Sequence, residues 1–274
     1  HLIHTLSLHD ALPIWCINMS VFWHSYKAEF FKNKHSVFLW AHILMPFLLV
    51  AIMTFSRFSK LSSLGLFVIF FKMIGFAFPL LAAALCGLIA SQEKQAGDYQ
   101  MMIGKLPHKT TTFISQLCML LTMCLGAIFL AILLFMISMK WILHVNNINY
   151  LLFFKTGGLI FLSVIFLYSL YLILAYHFNT GVCTMVGFSG VIIVALASTS
   201  QGDSIWMFLP WVWSVRFIDF IAALRFNDLS KIPLKYISYP QGGMDIGLMC
   251  MGVMTIFCVA VYIFSFHFWE GRQK

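Results

Sequence analysis

Six long apolar runs decide what kind of fold this chain can adopt. They cover residues 37–55, 66–90, 113–139, 151–176, 182–197 and 246–268. Most reach the roughly 20 residues that an α-helix needs to cross the hydrocarbon core of a bilayer. Charged residues make up only 9% of the chain, against roughly 25% in a soluble domain. A soluble fold would have to bury several such runs at once, so the sequence predicts an all-α, polytopic membrane protein with six transmembrane helices.

The first 18 residues differ in character from the rest of the chain. They lack the basic region and the apolar core of a signal peptide. The string LSLHDALPI within them is typical of translated cloning or sequencing-adapter DNA. We therefore interpret residues 1–18 as a non-native leader, and Met19 as the natural start of a single transmembrane domain over residues 19–274.

An amphipathic helix is predicted directly after the leader. Apolar and aromatic residues recur there at helical spacing while three lysines lie off the stripe: Met19, Phe22, Trp23, Tyr26 and Phe30 against Lys27, Lys32 and Lys34. Aromatic rings at headgroup depth, with ammonium groups facing anionic lipid, are typical of a helix that lies at the membrane interface. A plain juxtamembrane anchor is the alternative interpretation.

Residues 91–113 form a polar break between the second and third apolar runs. Ala96, Tyr99, Met102 and Ile103 recur at helical spacing and give one apolar face. The rest of that surface is polar and consists of Glu93, Lys94, Gln95, Asp98 and Gln100. We predict a short amphipathic helix at the bilayer surface whose polar side, with Gly97 at mid-helix, contacts a soluble partner. In the alternative interpretation, Gly97 marks a bend in a solvated loop and Glu93 is a solvent-exposed charge.

Residues 198–245 form a second informative connection, too long for a turn and too aromatic for a disordered linker. Pro210 and Arg216 interrupt its apolar runs, so no full span fits. Three tryptophans are expected at a membrane–water boundary, namely Trp206, Trp211 and Trp213. The pattern after them indicates a short helix that re-enters the outer leaflet, followed by a polar surface loop over residues 227–243.

Basic residues near the ends of the apolar runs predict the orientation of the chain. With the N-terminus inside, eight of these lysines and arginines lie in the cytoplasm and five lie outside, when the 198–245 segment is left out. We therefore predict a multi-pass protein of the cell membrane with both termini in the cytoplasm. The net charge of +8 is accounted for by this orientation and requires no nucleic-acid partner.

The sequence carries no motif for catalysis or for a cofactor. It contains neither HExxH nor GxSxG, and its only Gly-Lys pair, Gly104–Lys105, lacks the flanking residues of a phosphate-binding loop. His42, His177 and His267 fit helix packing as well as they fit a function. No acidic residue interrupts any apolar run, which argues against a proton relay through buried carboxylates. We predict no catalytic, cofactor-binding or metal site in this chain.

Three stretches resemble one family of membrane proteins: YKAEFFKNKHS before the first run, EKQAGDYQMMIGKLPHK after the second, and FLPWVWSVR before the sixth. They are similar to the permease subunits of type-2 ABC exporters, specifically those of lantibiotic-immunity (self-protection) transporters in Gram-positive bacteria. The most specific part is an E-x3-G-x-[FY]-Q core formed by Glu93, Gly97, Tyr99 and Gln100. The leader has no counterpart in that family.

The resemblance implies roles for both polar connections. The first would hold the coupling helix that docks on an ABC ATPase subunit, with Glu93, Lys94, Gly97, Asp98, Tyr99 and Gln100. The second would be the outer re-entrant segment that captures the peptide, with Trp206, Pro210, Trp211, Trp213 and Arg216. It further implies a second permease chain, identical or different, and ATP with Mg²⁺ bound by the ATPase rather than by this chain.

Two hypotheses of different class follow from these patterns. In the first, the chain is a permease that expels an antimicrobial peptide from the cell membrane, powered by the partner ATPase. In the second, it is a non-transporting membrane protein that binds or sequesters a peptide or lipid through residues 198–245. An intramembrane enzyme acting on lipids has no paired catalytic groups to support it.

Overall fold

The computed structural model describes residues 19–34, 36–56, 58, 61–99, 109–146 and 148–269. The interpretation of residues 1–18 as a leader lies outside this part of the chain. The described residues form eight α-helices and no β-strand. The helices are α1 (Met19–Asn33), α2 (Val37–Phe55), α3 (Ser63–Gln95), α4 (Lys109–Trp141), α5 (Tyr150–His177), α6 (Thr180–Ala197), α7 (Trp213–Phe226) and α8 (Pro240–His267).

Six of these helices are long and apolar enough to cross a membrane: α2, α3, α4, α5, α6 and α8. Each contains one of the six apolar runs, apart from the final residue of the last run, so the prediction of a polytopic all-α membrane protein is confirmed.

Capping explains several helix starts. The side chains of Ser62, Asn149 and Asn179 accept backbone N–H bonds at the first turns of α3, α5 and α6. Pro240 begins α8, where a missing N–H costs nothing.

Helices α3 and α5 lie at the centre of the bundle. α3 packs against α5, α6 and α7, and α5 also packs against α4 and α8. The contact between α3 and α6 is close, because a Cβ atom added at Gly187 would collide with Ala83. By contrast, α2, α6 and α8 bury less than a third of the residues in their most apolar stretches. Exposed apolar surface of this extent is expected of helices that face lipid.

The short segments gather at two ends of the bundle. The α1 end holds α1, the C-terminal ends of α3, α5 and α8, and the start of α4. The α7 end holds α7 together with the starts of α5 and α8. The polar stretch of residues 91–113 therefore begins at the α1 end, and the aromatic segment of residues 198–245 lies at the α7 end.

Candidate functional site

Glu93 lies at the α1 end in the last turn of α3 and is buried. Its carboxylate forms an ion pair with Lys32, which lies in the last turn of α1. The expectation that Glu93 lies on an exposed polar surface is therefore wrong, because α1 covers it. Tyr26 of α1 also donates a hydrogen bond to Thr122 of α4 at 3.0 Å. Helix α1 is thus held by polar contacts on the helices that flank the 91–113 segment.

The chain leaves the helical conformation directly after Gln95. Residues Gly97, Asp98 and Tyr99 all have positive φ angles, of 129°, 49° and 66°. A helix face that runs through Ala96 and Tyr99 is therefore absent, and the prediction of a helix over these residues is wrong. The physical reason is the glycine, whose conformation L-amino acids rarely adopt. Gln100 lies outside the described residues.

The surroundings of Gly97 are open. A Cβ atom added at Gly97 would meet no other atom of the described residues within 4 Å. Lys94, Gln95 and Asp98 are exposed beside it. Residues 94–98 are consequently an exposed polar stretch at the end of α3. We call residues 94–98 the α3 turn.

An aromatic cluster that the sequence patterns did not reveal lies next to the α3 turn. Tyr99 is 2% exposed, and its ring lies 5.6 Å from that of Tyr176 and 5.1 Å from that of Trp269. Phe113 stacks on Phe266 with 3.9 Å between ring centroids. The hydroxyl of Tyr176 donates to Gln116 at 2.7 Å, and that of Tyr262 donates to the Phe113 carbonyl at 2.8 Å. The cluster joins the ends of α3, α4, α5 and α8.

At the α7 end, the residues predicted to capture a peptide lie in the interior. Trp206 and Trp213 are fully buried, Arg216 is 1% exposed, and Pro210 is buried as well. Trp211 is partly buried, with its ring against Gly190 and its indole N–H donating to the Tyr171 hydroxyl at 2.9 Å. The buried pair of tryptophans therefore contacts protein rather than lipid or water. These side chains are packed between α5, α6 and α8, so none of the buried ones can contact a peptide in this conformation.

Arg216 fastens the 198–245 segment to the end of α6. Its guanidinium donates to the backbone carbonyls of Ala197, Thr199 and Lys231, and to the carboxylate of Asp203 at 2.7 Å. The fork of donors in the guanidinium suits this set of acceptors. A buried cation is tolerated here because each acceptor compensates for lost water.

A second buried ion pair connects α7 to α3. The ammonium of Lys72 lies 2.5 Å from a carboxylate oxygen of Asp219, whose side chain is 2% exposed. Burial raises the pKa of the Asp219 carboxyl, and the neighbouring charge of Lys72 opposes that shift. Lys72, which lies inside the second apolar run, is therefore paired with an acidic residue of another helix. Sequence reasoning missed Asp219 because it lies outside the six apolar runs. The sequence did contain a signal for this ion pair, because a single acidic residue inside an apolar helix and a single lysine inside an apolar run are expected to pair.

The described residues contain no group of three or more histidine, cysteine or acidic side chains that could hold a metal ion. The α1 end presents an exposed polar turn, the α7 end presents a segment held by buried charges, and α3 joins them.

Comparisons with known proteins give no relative, since no family model, no curated protein and no solved structure matches this chain.

Proposed function

We propose that this chain is the membrane-spanning permease subunit of an ABC exporter that expels a lantibiotic-type antimicrobial peptide from the cell membrane. A separate ABC ATPase subunit, which binds ATP and Mg²⁺, supplies the energy, and a second permease chain completes the pore. The proposal places the α1 end in the cytoplasm and the α7 end at the outer face of the membrane. α1 then lies along the inner membrane surface.

The observation that carries this proposal is the continuity of α3. This single helix ends in the exposed α3 turn and also carries Lys72, which is paired with Asp219 of α7. At about 1.5 Å per residue, roughly 35 Å of helix separates Lys72 from Gln95. A force applied to the turn by a docked ATPase would displace α3, and α7 would follow through the ion pair.

The contacts around the α3 turn support a docking role. Lys94, Gln95 and Asp98 offer charge of both signs and an amide on an exposed surface. Tyr99 anchors the turn in the aromatic cluster, so that the turn keeps its position relative to four helix ends. A docking surface of this kind transmits motion to the helices because Tyr99 holds it in a fixed position relative to them.

Peptide access from the outer leaflet is assigned to the exposed part of the 198–245 segment. Ile205 and Phe208 are 52% and 64% exposed there. In the proposed cycle, movement of α7 shifts these apolar side chains relative to the bundle and releases the peptide outward. The buried tryptophans and Arg216 brace the segment and do not bind the peptide.

The decisive experiment co-expresses this chain with the product of any ABC ATPase gene that adjoins its own gene. We expect the ATPase to co-purify with the wild-type chain, and cells to gain peptide resistance. Asp98→Asn keeps a residue type that tolerates positive φ but removes the charge, and we expect it to lower both properties while leaving the amount of protein unchanged. Asp245→Asn at the α7 end is the matched control. Equal ATPase recovery and resistance for all three proteins would contradict the proposal.

A further inference from the structure

A groove at the α7 end differs from the surface around it in both charge and shape. It lies between the first turns of α5, the last turns of α7 and the first turns of α8, and it has a cavity volume of about 530 Å³. This volume falls within the range of protein sites that hold a small ligand. Lys155 of α5 and Arg225 of α7 line it from two sides.

These two cations have no acidic partner in the described part of the chain. The three ion pairs found there involve Lys32, Lys72 and Arg216. Gln241 also lines the groove, and its amide donates a hydrogen bond to Asp245 at 2.8 Å. The one acidic residue on the neighbouring turn is therefore hydrogen-bonded to Gln241. The rim of the groove is therefore cationic and unneutralised.

Away from the rim, the walls of the groove are apolar and follow the helix axes. Lys155, Leu159 and Leu162 lie on one face of α5, and Gln241, Met244 and Leu248 on one face of α8, because each set follows helical spacing. From Lys155 to Leu162, or from Gln241 to Leu248, the helix rises roughly 10 Å. The groove thus runs from a charged rim at the end of the bundle along a partly exposed, apolar surface between the helices.

We propose that this groove binds one anionic phospholipid, with its phosphate between Lys155 and Arg225 and an acyl chain along the leucines. A rim with two free cations favours an anionic headgroup, and the apolar walls match a chain that enters from the bilayer. The same cations disfavour a cationic peptide, so the groove is distinct from the peptide path. The inference does not depend on the proposed export function.

Two pairs of variants separate headgroup recognition from chain recognition. Lys155→Gln/Arg225→Gln removes both rim charges, and Lys140→Gln/Lys235→Gln removes two other cations near the same end of the bundle as its control. Gly158 lines the groove, and a Cβ atom added there would meet nothing within 4 Å, so Gly158→Leu fills the groove without a clash. Gly126 of α4 has equally open surroundings, which makes Gly126→Leu the matched steric control.

The test titrates the purified chain in detergent with dioleoyl phosphatidylglycerol and with dioleoyl phosphatidylcholine, and bound lipid is counted by native mass spectrometry. We expect the anionic lipid to bind more tightly. One lost rim charge should weaken its binding about fivefold and the loss of both roughly thirtyfold, while both control variants bind as wild type does. Gly158→Leu should reduce the binding of both lipids.

Three results would each overturn the inference. The first is equal binding of the two lipids to the wild-type chain. The second is wild-type affinity for phosphatidylglycerol in the rim double variant or in Gly158→Leu. The third is complete displacement of the phospholipid by millimolar glycerol 3-phosphate, since the apolar walls would then contribute nothing to binding.

Discussion

The α3 turn and the 198–245 segment interrupt the apolar pattern of the sequence in similar ways, yet the structure uses them oppositely. The α3 turn is exposed, and its backbone takes positive φ angles. The 198–245 segment places an arginine and an aspartate inside the protein, each with a partner. Charges at the end of a membrane helix can remain in water, whereas charges within an aromatic stretch must find counter-charges. The comparison predicts that damage to the second region unfolds the protein, while damage to the first spares the fold.

The largest effect is expected from Arg216→Met. The change removes the guanidinium donor from the carbonyls of Ala197 and Lys231 and from Asp203, while the Thr199 carbonyl keeps the N–H of Gly202. This should cost roughly 3–5 kcal/mol. A thermal melt in detergent, followed by size-exclusion chromatography, would show a large fall in Tm. Arg225→Met, at an exposed position on the same helix, is the control. A Tm that is unchanged in Arg216→Met would remove the contrast between the two regions.

The Lys72–Asp219 pair should show the next largest effect. Lys72→Met leaves a buried carboxylate and should cost about 2–3 kcal/mol, less than the full cost of a stranded charge because the carboxyl can take up a proton. The double variant Lys72→Met/Asp219→Leu should recover most of this loss, which a double-mutant cycle measures. Additive losses would show that the two residues do not interact.

The stability of Lys72→Met should also depend on pH, and the direction of that dependence can be predicted. Without Lys72, the pKa of Asp219 in the folded state rises further, because the opposing charge is gone. The folded state then binds more protons than the unfolded state, so stability decreases as the pH rises from the unfolded pKa through the folded pKa. The deficit of Lys72→Met relative to wild type should therefore shrink toward acidic pH. A deficit that is constant with pH would contradict the burial of an unpaired carboxylate.

A smaller and asymmetric effect is expected where α1 docks on α3. Glu93→Gln removes the ion pair with Lys32, whose side chain is 38% exposed and can hydrate, so the loss should be about 1 kcal/mol or less. Lys32→Met strands the buried Glu93 and should cost more. Hydrogen exchange in α1 would report both changes, with faster exchange in Lys32→Met. Equal exchange in the two variants would mean that Glu93 is not effectively buried.

The smallest effect on stability is expected at the α3 turn itself. Gly97→Ala places a side chain where φ is 129°, and the strain of about 1 kcal/mol can be relieved by fraying of an exposed turn. Thermal stability should remain close to wild type, while ATPase recovery falls. Gly252→Ala, at an open position inside α8, should change neither property. A marked loss of Tm in Gly97→Ala would place the turn in the same class as the 198–245 segment.

The helices could be predicted from the sequence because each depends on neighbouring residues. Run length sets the spans, and local caps such as Asn149 and Asn179 set where they start. The tertiary contacts could not be predicted from the sequence, because the partners are far apart in the chain, as with Lys72 and Asp219 or Tyr99 and Trp269. The helical spacing through Ala96 and Tyr99 was misleading, since the local conformation of Gly97 outweighs the periodicity of its neighbours.

The pairing of Lys72 with Asp219 has a consequence for biosynthesis. Lys72 emerges from the ribosome long before Asp219, and at roughly 5–20 residues per second the interval is on the order of ten seconds. During that time the second span holds a lysine in the membrane without its counter-charge. Chains truncated before α7 would keep this lysine without its counter-charge. Synthesis of α7 therefore supplies the partner that the second span lacks until then.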